Sequence, residues 1–155
     1  MPETSLACIN VVEHPDMRDF YLLVEETSGN KQGLLNLSGG GRKPGEYTRE
    51  TAAREGKEES GFEIEATHFI SYYEYPPNRL HIALASKIIG GALATSEEHP
   101  SVGFFSFGDI VDMDAEGRLR GPAVLDAIRK YHEGKAIPLG EVSLVVQHDK
   151  TRGGQ

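Results

Sequence analysis

The stretch GGGRKPGEYTRETAAREGKEESGFE, residues 39–63, joins a glycine run to a segment that crowds Glu55, Glu58 and Glu59 together. Residues 47–60 carry a helical pattern, with Thr48 as the expected cap and Gly61 as the stop signal. At about 100° per residue, spacings of three and four put these carboxylates within a sector of roughly 100°. Such a face repels itself by a few tenths of a kcal/mol per pair unless a cation intervenes. Carboxylate oxygens suit hard divalent cations, and Mg²⁺ also keeps waters and bridges to phosphates. Arg54 is placed to pair with Glu58 four residues on, while Ala52 and Gly56 on the opposite side let the helix approach a sheet. The plain alternative is a solvated acidic face with Arg54 and Lys57 as its partners.

The loop before the helix shifts that balance. Gly40, Gly41 and Gly45 permit conformations closed to other residues, and Pro44-Gly45 marks a turn. A loop of this kind can aim backbone groups at a metal or phosphate beside the helix start. It is not a P-loop, because Glu46 follows Gly45 where Lys-Ser or Lys-Thr is required. Nor is it a dinucleotide fingerprint, since Pro44 holds the third glycine position of a frame begun at Gly39.

A chain of 155 residues and 17.0 kDa suits one domain with a proper core. Its net charge of −8 argues against a broad grip on nucleic acid. A small phosphorylated substrate is compatible if a cation or local basic groups offset the repulsion. The single Cys8 excludes an internal disulfide and favours a cytoplasmic protein. No run of about 18 apolar residues is present, so no membrane span is expected. MPETSLACIN lacks the zones of a signal peptide. A homodimer is compatible with these features.

SLACINVV and DFYLLVEE are expected as two neighbouring strands separated at Pro15. A short strand follows at residues 34–37. FEIEATHFISYYEY predicts a long strand or a strand with a bulge, and RLHIALASKII its hairpin partner after the turn PPN. GGALATSEEHPS is an expected loop, and VGFFSFGDI a strand running into a turn or helix. PAVLDAIRKYHEG is an amphipathic helix with Pro122 in its first turn, Gly134 past its end, and Val124, Leu125, Ile128 and Tyr131 as its apolar stripe. EVSLVV is expected as a last strand, and the tail from His148 as frayed. The pattern favours an α/β fold, a mixed sheet sandwiched by helices.

Gly40, Glu46, Arg54, Glu55, Glu58, Glu59 and Gly61, followed by apolar Phe62, resemble the signature of the Nudix hydrolases at every identity-defined position. With each required residue at about 7% of positions, a chance match from a given start is on the order of 10⁻⁸. Gly56 departs from the signature, which usually has an apolar side chain there, and LSGG replaces the commoner LPGG. The segment GRLRGPAVLDAIRKYHEGKAIPL also resembles a bacterial subgroup acting on nucleoside di- and triphosphates and thiamine-type pyrophosphates.

The resemblance implies a single domain over residues 1–155 with the α/β/α sandwich of that family and a mixed β-sheet, and a metal-dependent hydrolase of a pyrophosphate bond. Glu55, Glu58 and Glu59 would ligate Mg²⁺ or Mn²⁺ with the Gly40 carbonyl, Arg54 would orient them, and Glu46 would support loop and helix. The base that activates water is Glu55 or a loop carboxylate, Glu97 or Glu98, with His99 a further choice. Arg79 and His81 alternate on one strand and face a phosphate together. Arg118 and Arg120 are further phosphate candidates, and Tyr72, Tyr73 and Tyr75 could stack a ring. His68 and His132 read as structural. The competing classes are a non-catalytic nucleotide sensor, which the complete glutamate set disfavours, and an isomerase of the same fold, for which Cys8 lies far from the motif.

Overall fold

In the computed structural model, residues 3–27, 29–94 and 101–142 are described. Strand β1 (Ser5–Val12) sends Ile9 and Val11 into the main core cluster and Cys8 and Val12 to the opposite face. This is the period of two that a strand buried on both faces requires. Its partners are β4 (Ser38–Gly41), antiparallel, and β6 (Arg79–Gly91), parallel. β5 (Phe62–Tyr75) pairs antiparallel with β6 through three register shifts, the expected bulged hairpin. With β8 (Ile137–Pro138) at its edge, the sheet runs β4-β1-β6-β5-β8.

β2 (Phe20–Glu25) is not a sheet neighbour of β1, contrary to the sequence expectation. It lies in a second sheet, β3-β2-β7, with β3 (Leu35–Asn36) and β7 (Val102–Ser106). The two segments pair only beside their connecting turn, where Glu13 bridges Tyr21 and the His14 amide donates to the Phe20 carbonyl at 2.8 Å; that turn contains Asp19 at φ 64°. The Asp19 amide donates to Glu13 Oε2 at 2.9 Å and its carbonyl accepts from Phe107 at 2.8 Å, which hold that turn in place.

Helix α1 (Thr48–Ser60) covers one face of the larger sheet through buried Ala52 and Gly56. Tyr47, not Thr48, occupies the cap position, and its side chain makes no capping bond. The first turn is held instead by Glu46, which accepts from Thr51 Oγ1 at 2.9 Å. Gly61 ends the helix at φ 83°, as its sequence position suggested. α2 (Phe107–Ala115) and α3 (Pro122–His132) bury Ile110, Met113, Val124, Leu125 and Ile128 in the main core cluster. The expected last strand is corrected in its described part: Glu141 and Val142 close a short α4 (Leu139–Val142), and residues 143–155, the tail included, lie outside the described residues. No helix among the described residues is long and apolar enough to cross a membrane.

The glycine at position 56 has a packing cause. A Cβ there would overlap Ile64 Cδ1 and lie 2.8 Å from its Cγ1, so Ile64 of β5 fills the space an apolar helix residue would take. Gly56→Ala gains roughly 1 kcal/mol of helix propensity but overpacks this contact, a cost of about 1–3 kcal/mol. We expect a lower melting temperature for Gly56→Ala. Combined with Ile64→Val, the double variant should be less destabilised than the sum of its singles; strict additivity would show that the two sites do not clash.

Candidate functional site

Arg54 is the hub where the glycine loop meets α1. Its Nε donates to Glu46 Oε1 at 2.6 Å and its Nη2 to Glu46 Oε2 at 3.2 Å, a two-pronged pairing. Nη1 reaches Glu55 Oε1 at 2.8 Å and Glu58 Oε2 at 3.4 Å, and Nη2 also donates to the Gly41 carbonyl at 2.9 Å. The guanidinium, helped by donation from the Lys43 amide, holds the Glu46 carboxyl down to about 2. The i,i+4 pairing expected from sequence is thus present but is the longest of these contacts.

Glu59 points inward, 6% exposed, and accepts from the Gly39 amide at 2.8 Å. Burial pushes its carboxyl up to about 8, with the Glu55 carboxylate adding to the rise against the Gly39 donation. The helix is tied down by Asn10, fully buried on β1, whose Nδ2 donates to the Ala52 carbonyl at 3.2 Å and to Ser38 Oγ at 3.4 Å.

Beside Gly39, Gly40 and Gly41 opens a cleft of about 620 Å³. Its lining includes Arg79, His81 and Arg120, and the buried apolar side chains Ile9, Leu37 and Val124. Burial, with the Arg79 and Arg120 charges, lowers the His81 pKa, so the ring is kept neutral more readily than a free imidazole. Tyr75 packs on His81 at 4.6 Å between centroids and lines the same cleft.

The family model for the NUDIX domain matches residues 4–126. The chain belongs to the NUDIX family. It is a Nudix pyrophosphohydrolase by that membership, and such hydrolases generally use divalent metal ions. Its fold is similar to that of a NUDIX hydrolase from Nitrosomonas europaea, with a TM-score of 0.78 at 24% identity over 92% of this chain and 98% of the other. An ADP-ribose pyrophosphatase from Streptococcus suis 89-1591 gives a TM-score of 0.67 at 22% identity, over 84% and 91% of the two chains. The E. coli ORF135 protein gives 0.63 at 20% identity, over 86% and 91%. At these identities the likeness is one of fold. No curated protein matches the chain.

The donor set of this Nudix protein suits a divalent cation in its chemistry. The Glu55 carboxylate lies close enough to Glu59 to add to the rise in the Glu59 pKa, and a cation between them would relieve that repulsion. Gly40 keeps the approach open, because a Cβ there would overlap the Glu55 carboxylate. Glu58 is more outward, with its side chain 54% exposed, and reaches the group through Arg54. Among the described residues no three acidic, His or Cys side chains already converge as a cage. The site therefore supplies hard oxygen donors that must draw in around an ion.

Arg79, His81 and Arg120 come together in the cleft, as their sequence positions allowed. Tyr73 does not join them: its hydroxyl donates to Asp126 Oδ2 at 2.6 Å and Lys130 sits 5.6 Å above its ring, so it staples β5 to α3 in an adjoining groove that shares Tyr75, Pro122 and Ala123 with the cleft. Tyr72 is exposed in that groove and Arg118 pairs with Glu116 at 3.4 Å, both away from the cleft. His132 stacks on Phe107 at 3.9 Å, a packing role. Glu97, Glu98 and His99 lie outside the described residues. Sequence reasoning missed Glu26, Lys31 and Asn36, which also line the cleft: Asn36 from β3, Glu26 from just past the end of β2, and Lys31 from the turn that follows. No local pattern marks them. Asn10 did carry a signal, a lone amide among the apolar residues of CINVV.

Proposed function

We propose that the protein hydrolyses a pyrophosphate bond in a small nucleoside-diphosphate-type substrate, using Mg²⁺ or Mn²⁺ held by Glu55, Glu58, Glu59 and the Gly40 carbonyl. One observation carries this reading: a single cleft is lined both by the glycine loop beside Glu55 and by Arg79, His81 and Arg120. When bound, the ion would offset phosphate charge and lower the pKa of a water. Arg54 fixes the direction of Glu55 and anchors the loop through Gly41, which limits how far the carboxylates must move to close on an ion. Arg79 and Arg120 supply positive charge for phosphate oxygens, and His81, kept neutral by its surroundings, serves as a hydrogen-bond donor. The apolar lining takes the non-phosphate part of the substrate. The proton of the attacking water passes to Glu55 or to a carboxylate of the Glu97–Glu98 loop. A reducing cytoplasm suits the buried Cys8 thiol, which burial pushes up to about 12 and so keeps unreactive.

The test is turnover. Purified protein with Mg²⁺ or Mn²⁺ is incubated with ADP-ribose, NADH, dinucleoside polyphosphates, nucleoside di- and triphosphates and thiamine pyrophosphate, and products are resolved by chromatography. Cleavage at a phosphoanhydride, stopped by a chelator and restored by metal, is the expected result. Tight nucleotide binding with no cleavage of any compound would replace the hydrolase by a sensor.

A further inference from the structure

The rim of the cleft is basic, with Lys31, Arg79 and Arg120, yet one acid lines it: Glu26, at the end of β2. A carboxylate in a cleft for a polyanion repels its own ligand unless it meets a donor on that ligand. Its protein partners do not account for it. The nearest cation, Arg120 Nε, lies 3.9 Å from Oε1 with its side chain 41% exposed, a separation and exposure at which an ion pair contributes little. Asn36 Nδ2 donates to Oε1 at 2.8 Å, and Asn36 is itself fixed because its Oδ1 accepts from the Leu37 amide at 2.8 Å. The carboxylate is therefore aimed, and among the described residues no donor engages Oε2. Ile9, Leu37 and Val124, buried in the main core cluster, contribute apolar lining to the same cleft.

A cleft backed by apolar side chains and lined by a fixed carboxylate suits a particular moiety. Planar rings rest on aliphatic side chains, and a carboxylate accepts from amino N–H groups at a ring edge. A sugar, with polar groups on both faces, would leave the apolar lining poorly used. We propose that Glu26 is a specificity-determining residue that selects substrates whose non-phosphate part is an amino-bearing heterocycle. This rests on the cleft being the ligand site of the proposed hydrolase, and it adds which end group is favoured and what reads it. Oε2 accepts the amino N–H, Asn36 keeps the carboxylate in place, and the same charge disfavours a further phosphate at that end.

Equilibrium binding of nucleoside 5′-monophosphates to the full chain tests this without turnover. Two pairs differ only in an amino group: GMP against IMP, and AMP against purine riboside 5′-monophosphate. Wild type should bind the amino-bearing member of at least one pair roughly tenfold more tightly, the discrimination of one good edge contact. Glu26→Gln keeps an oxygen for Asn36 but loses the charge, and Glu26→Ala loses both; each should cut that preference to about twofold or less. Equal weakening or strengthening of both members would mean that Glu26 only balances Arg120, and overturns the proposal. So does a wild type without preference, or one that loses affinity only for 2′-deoxy ligands, which assigns Glu26 to a sugar. If neither variant folds, the wild-type preference alone decides. Amino-selective binding without cleavage across the substrate panel leaves Glu26 assigned and sinks the hydrolase; cleavage without selectivity does the reverse.

Discussion

Glu59→Gln is expected to lower turnover by roughly 1,000-fold while leaving the chelated protein as resistant to heat as wild type, or more so. The loss follows if Glu59 holds a catalytic ion: several kcal/mol of transition-state stabilisation depend on it, and each 1.36 kcal/mol is a factor of ten. The unchanged stability follows from the environment of the side chain. Glu59 is 6% exposed, and burial together with the nearby Glu55 carboxylate raises its pKa, so keeping an ionised side chain there costs the folded state. The amide of glutamine keeps an oxygen for the Gly39 N–H, which donates at 2.8 Å, and removes the like charge. Steady-state rates under saturating Mn²⁺ and melting curves in EDTA measure the two halves. A variant that melts far below wild type would make Glu59 a structural anchor; one that keeps its rate would remove it from the ion site.

What the sequence revealed, and what it hid, divides along physical lines. The α1 segment was legible because its information is local: helical spacing, Gly61 at its end, and small residues Ala52 and Gly56 on the sheet side. The hairpin of β5 and β6 was legible for the same reason, since a short turn dictates the pairing. Sheet membership was not. β1 and β2 adjoin in sequence and pair only beside their turn, at Glu13 and Tyr21, before entering different sheets, a choice made by partners distant in sequence. β4 was hidden because its residues, Ser38 to Gly41, are poor strand formers by propensity; its pairing with β1 holds it in place. In the site, Arg54 and its carboxylates lie within one segment, whereas the cleft gathers Arg79, His81 and Arg120 from β6 and the start of α3. Glu26 and Lys31 come from the second sheet and the turn after it, so only the packing of the two sheets brings them there. Tyr73 misled because a strand aromatic has two faces to choose from, and Asp126 on α3 supplies the partner that decides.

Gly39→Ala should be strongly destabilising, and its effect links the fold to the site. A Cβ at Gly39 would overlap the Cys8 carbonyl and stand 2.9 Å from Ile9 Cα, both backbone atoms of the paired strand. Gly56 offers a contrast, because there the obstacle is the end of a side chain that can turn. Backbone cannot turn away without breaking the pairing of Ile9 with Gly39 and of Cys8 with Gly40. The cost is therefore at or above the upper end for overpacking, about 3 kcal/mol. For a domain of this size that lowers the melting temperature by roughly 10 °C. Because the Gly39 amide donates to Glu59 and the next residue borders Glu55, displacement of β4 also shifts both carboxylates. Mn²⁺ affinity, read by titration well below the melting point, should fall at least tenfold, as for loss of a group that orients a ligand. A variant that melts as wild type would show that β4 can slide on β1. One that melts early but binds Mn²⁺ normally would show that the glycine run serves the sheet and not the ion.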